Sequence, residues 1–219
     1  MRELVVNSNP NSIFSESIKT IRANLKFADV NKKNKVIMIT SSMAGEGKSI
    51  ISSNLAVSFA QYKDKEKILI IDCDLRRGRI GHIFNLNNNE IGLSNLLIAN
   101  GIEKKLPEVI KTTSIKRLNI LPLGVVPPNP SELLASDNFR NVLTILKNKY
   151  DYIIIDCPPV LGLNDALVLA TLVDCVLIVA KVKSTPIDLL KQTQKALQQV
   201  NANIAGVILN GVEKDGQSH

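Results

Sequence analysis

The sequence predicts an α/β fold, a mainly parallel sheet flanked by helices. Short apolar runs recur along the chain with helix-compatible segments between them. Several of those runs are continuously apolar rather than alternating, as strands covered on both faces are. A loop holding Gly45, Gly47, Lys48 and Ser49 also joins one such run to a helix-compatible stretch. That arrangement turns successive backbone N–H groups and a positive helix end toward one anion.

Taken in order, residues 15–27 suit a helix that extends the domain at its N-terminus. Strands are expected at 36–40, 68–72, 118–122, 152–156, 175–180 and 204–209, and helices at 48–61, 136–148, 164–172 and 187–200. Strand–helix alternation of this kind needs right-handed crossovers between parallel strands. One domain over 1–219 is expected, its N-terminal extension occupying about residues 1–30. The segment 127–134 suggests a further helix start: Asn129 as cap, then Pro130, Ser131 and Glu132 in the first turn. The Asn run 87–89 suits a loop.

Composition narrows the function classes. Of 219 residues, 45% are apolar and 21% charged, an ordinary globular balance. The net charge of +7 is scattered, with short basic groups at 31–35, 63–67 and 76–79. The first two are expected to be solvated, and nucleic acid is not expected as a partner. The third adjoins a motif, and its Arg76, Arg77 and Arg79 suit phosphate, acids of a neighbouring subunit, or equally a solvated basic loop. Cys73, Cys157 and Cys175 form no C-x-x-C pair and are expected as reduced thiols of a cytoplasmic protein. No stretch approaches the roughly 20 apolar residues that span a bilayer, and residues 1–10 lack a secretory pattern. Any link to a membrane is therefore expected to run through a partner.

Val36-Ile-Met-Ile-Thr40 leads into Ser41-Ser-Met-Ala-Gly-Glu-Gly-Lys-Ser49. The glycines let backbone approach phosphate oxygens, Lys48 reaches terminal phosphates, and the Ser49 hydroxyl suits Mg²⁺. The segment Ala44, Gly45, Glu46, Gly47, Lys48, Ser49 and Ile50 is expected to contact ATP. Ser42 stands at the first glycine of the usual G-x-x-x-x-G-K-[ST] pattern.

Two further strands end in acids: Ile68-Leu-Ile-Ile-Asp72, followed by Cys73-Asp74-Leu75-Arg76, and Tyr152-Ile-Ile-Ile-Asp156, followed by Cys157-Pro158-Pro159. Ligands of parallel α/β sheets bind beyond the carboxyl ends of strands, which brings these acids to Lys48 and Ser49. Asp156 fits a metal role in a Walker B strand. Asp72 and Asp74, two apart, are expected to face one side with Cys73 facing away. Asp72 is assigned to the metal and Asp74 to the general base. His82 is expected as a structural loop residue; His219 carries no signal.

With these motifs set out, the chain resembles the bacterial tyrosine kinases of capsular and exopolysaccharide biosynthesis. They are P-loop proteins of the deviant Walker type, unrelated to eukaryotic kinases. Residues 40–49 look like its Walker A, 68–76 like Walker A′ and 152–159 like Walker B; Pro127-Pro-Asn-Pro-Ser-Glu-Leu-Leu134 looks like a family signature. The resemblance implies a protein-tyrosine kinase using ATP and Mg²⁺, with Asn210 near adenine and proteins bearing tyrosine as substrates. It implies a membrane-embedded activator or chain-length regulator on a separate chain, recruiting the domain to the inner face of the cell membrane. It also implies a homo-oligomeric ring through the E-x-x-R-x-x-R helix, here Glu16, Lys19 and Arg22, where Lys19 keeps charge but loses bidentate capacity.

The family's tyrosine-rich tail has no counterpart in residues 210–219, and the tyrosines present are Tyr62, Tyr150 and Tyr152, all in segments expected to be ordered. Tail autophosphorylation is therefore not expected of this polypeptide. Alternatives stay open at this point: a nucleotide-controlled positioning switch, or a scaffold for polysaccharide export without kinase activity. Such switches usually carry an extra lysine early in the phosphate loop, where Met43 and Ala44 stand here.

Overall fold

A computed structural model describes residues 3–27, 35–62, 65–86 and 91–212. The asparagine run, parts of the two outlying basic groups, and residues 213–219 with His219 lie outside the described residues. The strands β1 (Lys35–Ser41), β2 (Ile68–Asp72), β3 (Lys111–Thr112), β4 (Leu118–Leu121), β5 (Tyr152–Asp156), β6 (Cys175–Lys181) and β7 (Ile204–Asn210) form one sheet. Its order is β3-β4-β2-β5-β1-β6-β7. Every pairing is parallel except β3 with β4.

The continuous apolar runs have the reason expected of them. Along β1, Val36 and Met38 enter one core while Ile37 and Ile39 enter the other. The same alternation sends Leu69 and Ile71 of β2, and Ile153 and Ile155 of β5, to the first core. Their neighbours Ile68, Ile70 and Ile154 go to the second. With helices over both faces of these three central strands, they leave no position for a polar residue until they end.

Helices α1 (Val5–Ser8), α2 (Ile13–Phe27) and α3 (Lys48–Tyr62) lie on the second core. The cover of the first core includes α5 (Leu93–Leu97), α6 (Ile102–Val109), α8 (Asp137–Lys147), α9 (Asp165–Ala170) and α10 (Ile187–Gln199). The remaining α4 (Ile80–Ile83) and α7 (Pro130–Ala135) follow β2 and the Pro127–Pro128 turn. Helices α4, α5 and α6 and strand β3 were not expected. They run only 4, 5, 8 and 2 residues, too short for a periodicity to show, and α6 contains Pro107.

The N-terminal helices explain an oddity of α3. That helix is buried from Ile51 to Ala60, including Ser52, Ser53, Asn54 and Ser58, because the sheet takes one side and α1 and α2 the other. Asn54 holds the N-terminal segment directly: its Oδ1 accepts the Val6 N–H at 2.9 Å, and its Nδ2 donates to the Glu3 carbonyl at 2.8 Å. Arg22 of α2 donates to the Ser58 carbonyl and hydroxyl at 2.8 and 2.9 Å.

One local expectation is corrected. The Asn129 side chain makes no capping bond and donates instead to Glu132 Oε2 at 2.6 Å. The serine that caps is Ser136, whose hydroxyl accepts the Phe139 N–H at the start of α8.

Two adjacent serines of α3 separate structure from function. Ser53 Oγ is buried without a hydrogen-bond partner among the described residues, whereas Ser52 Oγ donates to Asp156 at 3.0 Å. Ser53→Ala is expected to raise the urea-unfolding free energy by about 1 kcal/mol, through helix propensity and loss of an unpaired hydroxyl. Ser52→Ala is expected to lower it by about 1 kcal/mol.

Candidate active site

The register of the sheet assembles the site. Ile39 pairs with Asp156 between β1 and β5, and Asp72 pairs with Asp156 between β2 and β5. The carboxyl ends of three neighbouring strands thus stand side by side, with the loop from β1 to α3 above them.

That loop is fixed by two glycines and by braces behind it. Gly45 and Gly47 have φ of +83° and +97°, a region in which a side chain is strained. A Cβ on Gly47 would also lie 2.2 Å from Asn210 Nδ2. That amide donates to the Glu46 carbonyl at 2.9 Å. The Glu46 carboxylate is buried, accepts the Met43 N–H at 2.8 Å and bonds the Thr185 hydroxyl. Ser42, in place of a glycine, needs no special backbone: it is absent from the described non-glycine residues of positive φ. Its buried hydroxyl accepts from Thr193 of α10 at 2.9 Å.

Below the loop opens a cavity of about 550 Å³. Ala44, Gly45, Gly47, Lys48, Ser49 and Ile50 of the loop line it together with Asp74, Arg76, Arg77 and Arg79, and Pro158, Pro159 and Leu163 add an apolar wall. Two expected contact residues do not line it. Glu46 is turned to Thr185, and Asn210 is engaged behind the loop.

The acids divide. Asp156 is fully buried; its Oδ1 accepts from Ser52, and its Oδ2 has no hydrogen-bond partner among the described residues. Burial pushes its pKa up to about 6, against the pull of Ser49, the Lys48 charge and Ser52. Asp72 is raised well above its usual value, by burial first and then by the Asp156 charge. The expectation that Asp72 and Asp74 face the same way fails because the strand ends at Asp72. Asp72 Oδ2 accepts the Ile80 N–H at 2.9 Å and its Oδ1 the Asp74 N–H at 3.3 Å. Asp74 instead lines the cavity, its Oδ1 accepting the Arg77 N–H at 3.0 Å. Cys73 between them is buried in the core. Burial raises the Cys73 and Cys157 thiols well above their usual range.

The residues fit a magnesium ion. A buried carboxylate oxygen without a partner, beside the Ser49 hydroxyl and facing a phosphate-type loop, is a donor set for a hard cation. Among the described residues no three His, Cys, Asp or Glu side chains converge as a metal cage. Magnesium at phosphate sites takes one or two protein ligands and completes its shell from phosphate and water.

Arg76 and Arg79 line the cavity but are each paired within the chain. Arg76 Nε donates to Asp165 Oδ2 at 3.0 Å, and its Nη2 to Ser131 Oγ at 3.1 Å and to Asp165 Oδ1 at 3.4 Å. Ser131 bonds Asp165 as well, so the Pro-Pro-Asn-Pro-Ser-Glu segment is joined to the loop after β2. Arg79 Nη2 donates to Glu3 at 2.9 Å, and His82, well exposed, stands 3.8 Å from the same acid. Asp165 is not singled out by the sequence, where it falls simply within the helix expected at 164–172. On α2, Glu16 and Lys19 pair at 2.7 Å on the surface. Arg22 turns inward, its guanidinium 4.1 Å from the Tyr62 ring centroid.

Two outcomes follow for stability. Arg76→Ala strands the buried Asp165 charge and is expected to cost about 2–4 kcal/mol in urea unfolding, whereas Arg77→Ala stays within about 0.5 kcal/mol. Asp156→Asn should act in the opposite direction. A carboxyl whose folded pKa is raised stabilises the fold only below its unfolded value of about 3.9, and that stability is lost as pH rises through about 6. Without nucleotide, Asp156→Asn is therefore expected to raise Tm at pH 7.5 by several degrees, from a gain on the order of 2 kcal/mol. The gain should vanish toward pH 4.

Comparison with known proteins agrees with this geometry. A family model described as an AAA domain matches residues 34–208. CapB of Staphylococcus aureus is 39% identical over 216 residues, covering 98% of this chain and 92% of CapB. The tyrosine-protein kinase YwqD of Bacillus subtilis (strain 168) is 35% identical over 210 residues, covering 96% of this chain and 86% of YwqD. The kinase domain of the Escherichia coli tyrosine kinase ETK superposes with a TM-score of 0.90 at 36% identity, over 99% of this chain and 82% of that one. The chain belongs to the P-loop bacterial tyrosine-protein kinase family of capsular and exopolysaccharide biosynthesis.

Proposed function

We propose that this cleft transfers the γ-phosphoryl group of ATP to tyrosine hydroxyls of other proteins, in the control of capsular or extracellular polysaccharide synthesis or export. The observation that carries the reading is the unpartnered, buried oxygen of Asp156 beside Ser49, across one cavity from Asp74. Backbone N–H groups of Ala44 to Ile50 bind the phosphates, and Lys48 stabilises the transferring group. Ser49 and Asp156 would hold Mg²⁺, which when bound would supply charge neutralisation to the triphosphate.

Asp74 is the general base: the phenolic oxygen attacks the γ-phosphorus, the β–γ bridging bond breaks, ADP leaves, and the phenolic proton passes to Asp74. Asp72 already binds two backbone N–H groups. It holds the Asp74 loop and would support Mg²⁺ binding through its charge beside Asp156. Asn210 serves adenine indirectly, by setting the loop.

The substrate tyrosine comes from another molecule. Tyr152 is buried against Phe59 at 4.5 Å, and the Tyr150 hydroxyl accepts from Asn119 at 2.9 Å. The whole chain, 1–219, acts as one domain with its N-terminal helices as an extension. No described helix is long and apolar enough to cross a membrane. We place the domain in the cytoplasm, recruited to the inner membrane face by a separate membrane-embedded activator. Self-assembly into a ring would use the surface pair Glu16 and Lys19, with Arg22 fixing α2 from behind.

Purified chain with Mg-ATP, an activator segment and a tyrosine-bearing protein should give phosphotyrosine on immunoblot. Lys48→Met is expected to abolish the signal. Asp74→Asn is expected to lower kcat by about 10²–10⁴-fold with Mg-nucleotide affinity retained in calorimetry. Phosphate release by the wild-type chain without phosphotyrosine would favour a nucleotide-controlled switch instead.

A further inference from the structure

Three arginines follow Asp74, and the structure separates one from the others. Arg76 is locked onto Asp165 and Ser131, and Arg79 onto Glu3. All three line the cavity, but the Arg77 guanidinium alone of them makes no hydrogen bond or ion pair among the described residues. Its backbone N–H donates to Asp74 Oδ1 at 3.0 Å, so the position of Arg77 is tied to that of the carboxylate. The phosphate loop and Lys48 line another side of the cavity.

We propose that Arg77 is a specificity residue that reads an acidic side chain beside the acceptor tyrosine. This rests on the kinase reading above, in which Asp74 receives the phenolic proton. If the hydroxyl lies at Asp74, residues flanking the tyrosine come near the unpaired cation whose own backbone N–H binds that carboxylate, Arg77. The apolar wall of Pro158, Pro159 and Leu163 supplies a face for the ring. Arg77 is exposed, so the carboxylate it meets stays partly in water and the gain is modest. A guanidinium fork nonetheless favours a carboxylate over a neutral neighbour, and it disfavours a lysine.

The test uses the full chain and three synthetic peptides, with the tyrosine flanked by glutamates, glycines or lysines. Their kcat/KM values are compared within each enzyme variant, so that a uniform loss of activity cancels. Wild-type protein is expected to prefer the glutamate peptide over the lysine peptide by roughly three- to tenfold. Rising salt should shrink that ratio, and Arg77→Glu should reverse it.

A second measurement replaces tyrosine by phenylalanine and reads Kd by fluorescence anisotropy in Mg-ADP. The same order of peptides is expected there, and it is read even without turnover. An acid-to-base ratio left unchanged by Arg77→Glu in both measurements overturns the proposal. So does Arg77→Ala weakening Mg-ATP binding while the peptide order persists, since Arg77 would then serve phosphate. Failure of the kinase reading shows differently, as no phosphotyrosine on any peptide from the wild-type chain.

Discussion

Two carboxylates are forced together where β2 and β5 end in register, and the cleft is organised around the cost of keeping them there. Asp72 and Asp156 are both out of water, burial resists the ionisation of each, and the Asp156 charge adds to that resistance at Asp72. The protein offsets part of this with the Lys48 charge and with hydroxyls from Ser49 and Ser52. The remaining imbalance is an excess of negative charge in a low-dielectric site, which a divalent cation relieves better than any side chain present. Metal affinity and strain in the empty fold are thus one quantity seen from two sides.

The phosphate loop is held from outside the cleft rather than from within it. Asn210 at the end of β7, Thr185 after β6 and Thr193 on α10 all grip its rear face. Its N–H groups on the cavity side therefore stay available to an anion and need little reorganisation when one arrives. The same bracing accounts for Ser42. Once a hydroxyl partner exists on α10 and the backbone angle is ordinary, a glycine at that position has no advantage.

Much of this was legible in the sequence, for identifiable reasons. Strands covered on both faces cannot hide their apolar runs, so the six longer strands could be placed nearly to the residue. Lys48, Ser49, Asp74 and Asp156 were legible because a strand end, a glycine turn and a charged residue coincide. What escaped depended on contacts between distant segments. Nothing local marks Asp165 as the partner of Arg76, 89 residues away. Nothing local tells that Arg22 will reach Ser58 or that Asn210 will support Glu46. The shared facing expected of Asp72 and Asp74 is not kept, because period-two alternation holds only while the chain stays extended, and the strand ends at Asp72.

The loop after β2 also shows why three similar arginines do different work. Arg76 fastens it to α7 and α9, and Arg79 fastens it to Glu3. Glu3 is held in turn by Asn54 of α3, the helix that begins at Lys48. The N-terminal segment therefore clips the wall bearing Asp74 to the helix bearing Lys48. Two fixed ends confine the short stretch between them, and Arg77, in the middle of that stretch, has a rigid base and an unengaged head. A cation so placed keeps its position without giving up its charge to an internal acid, which is the condition for reading charge on an incoming chain.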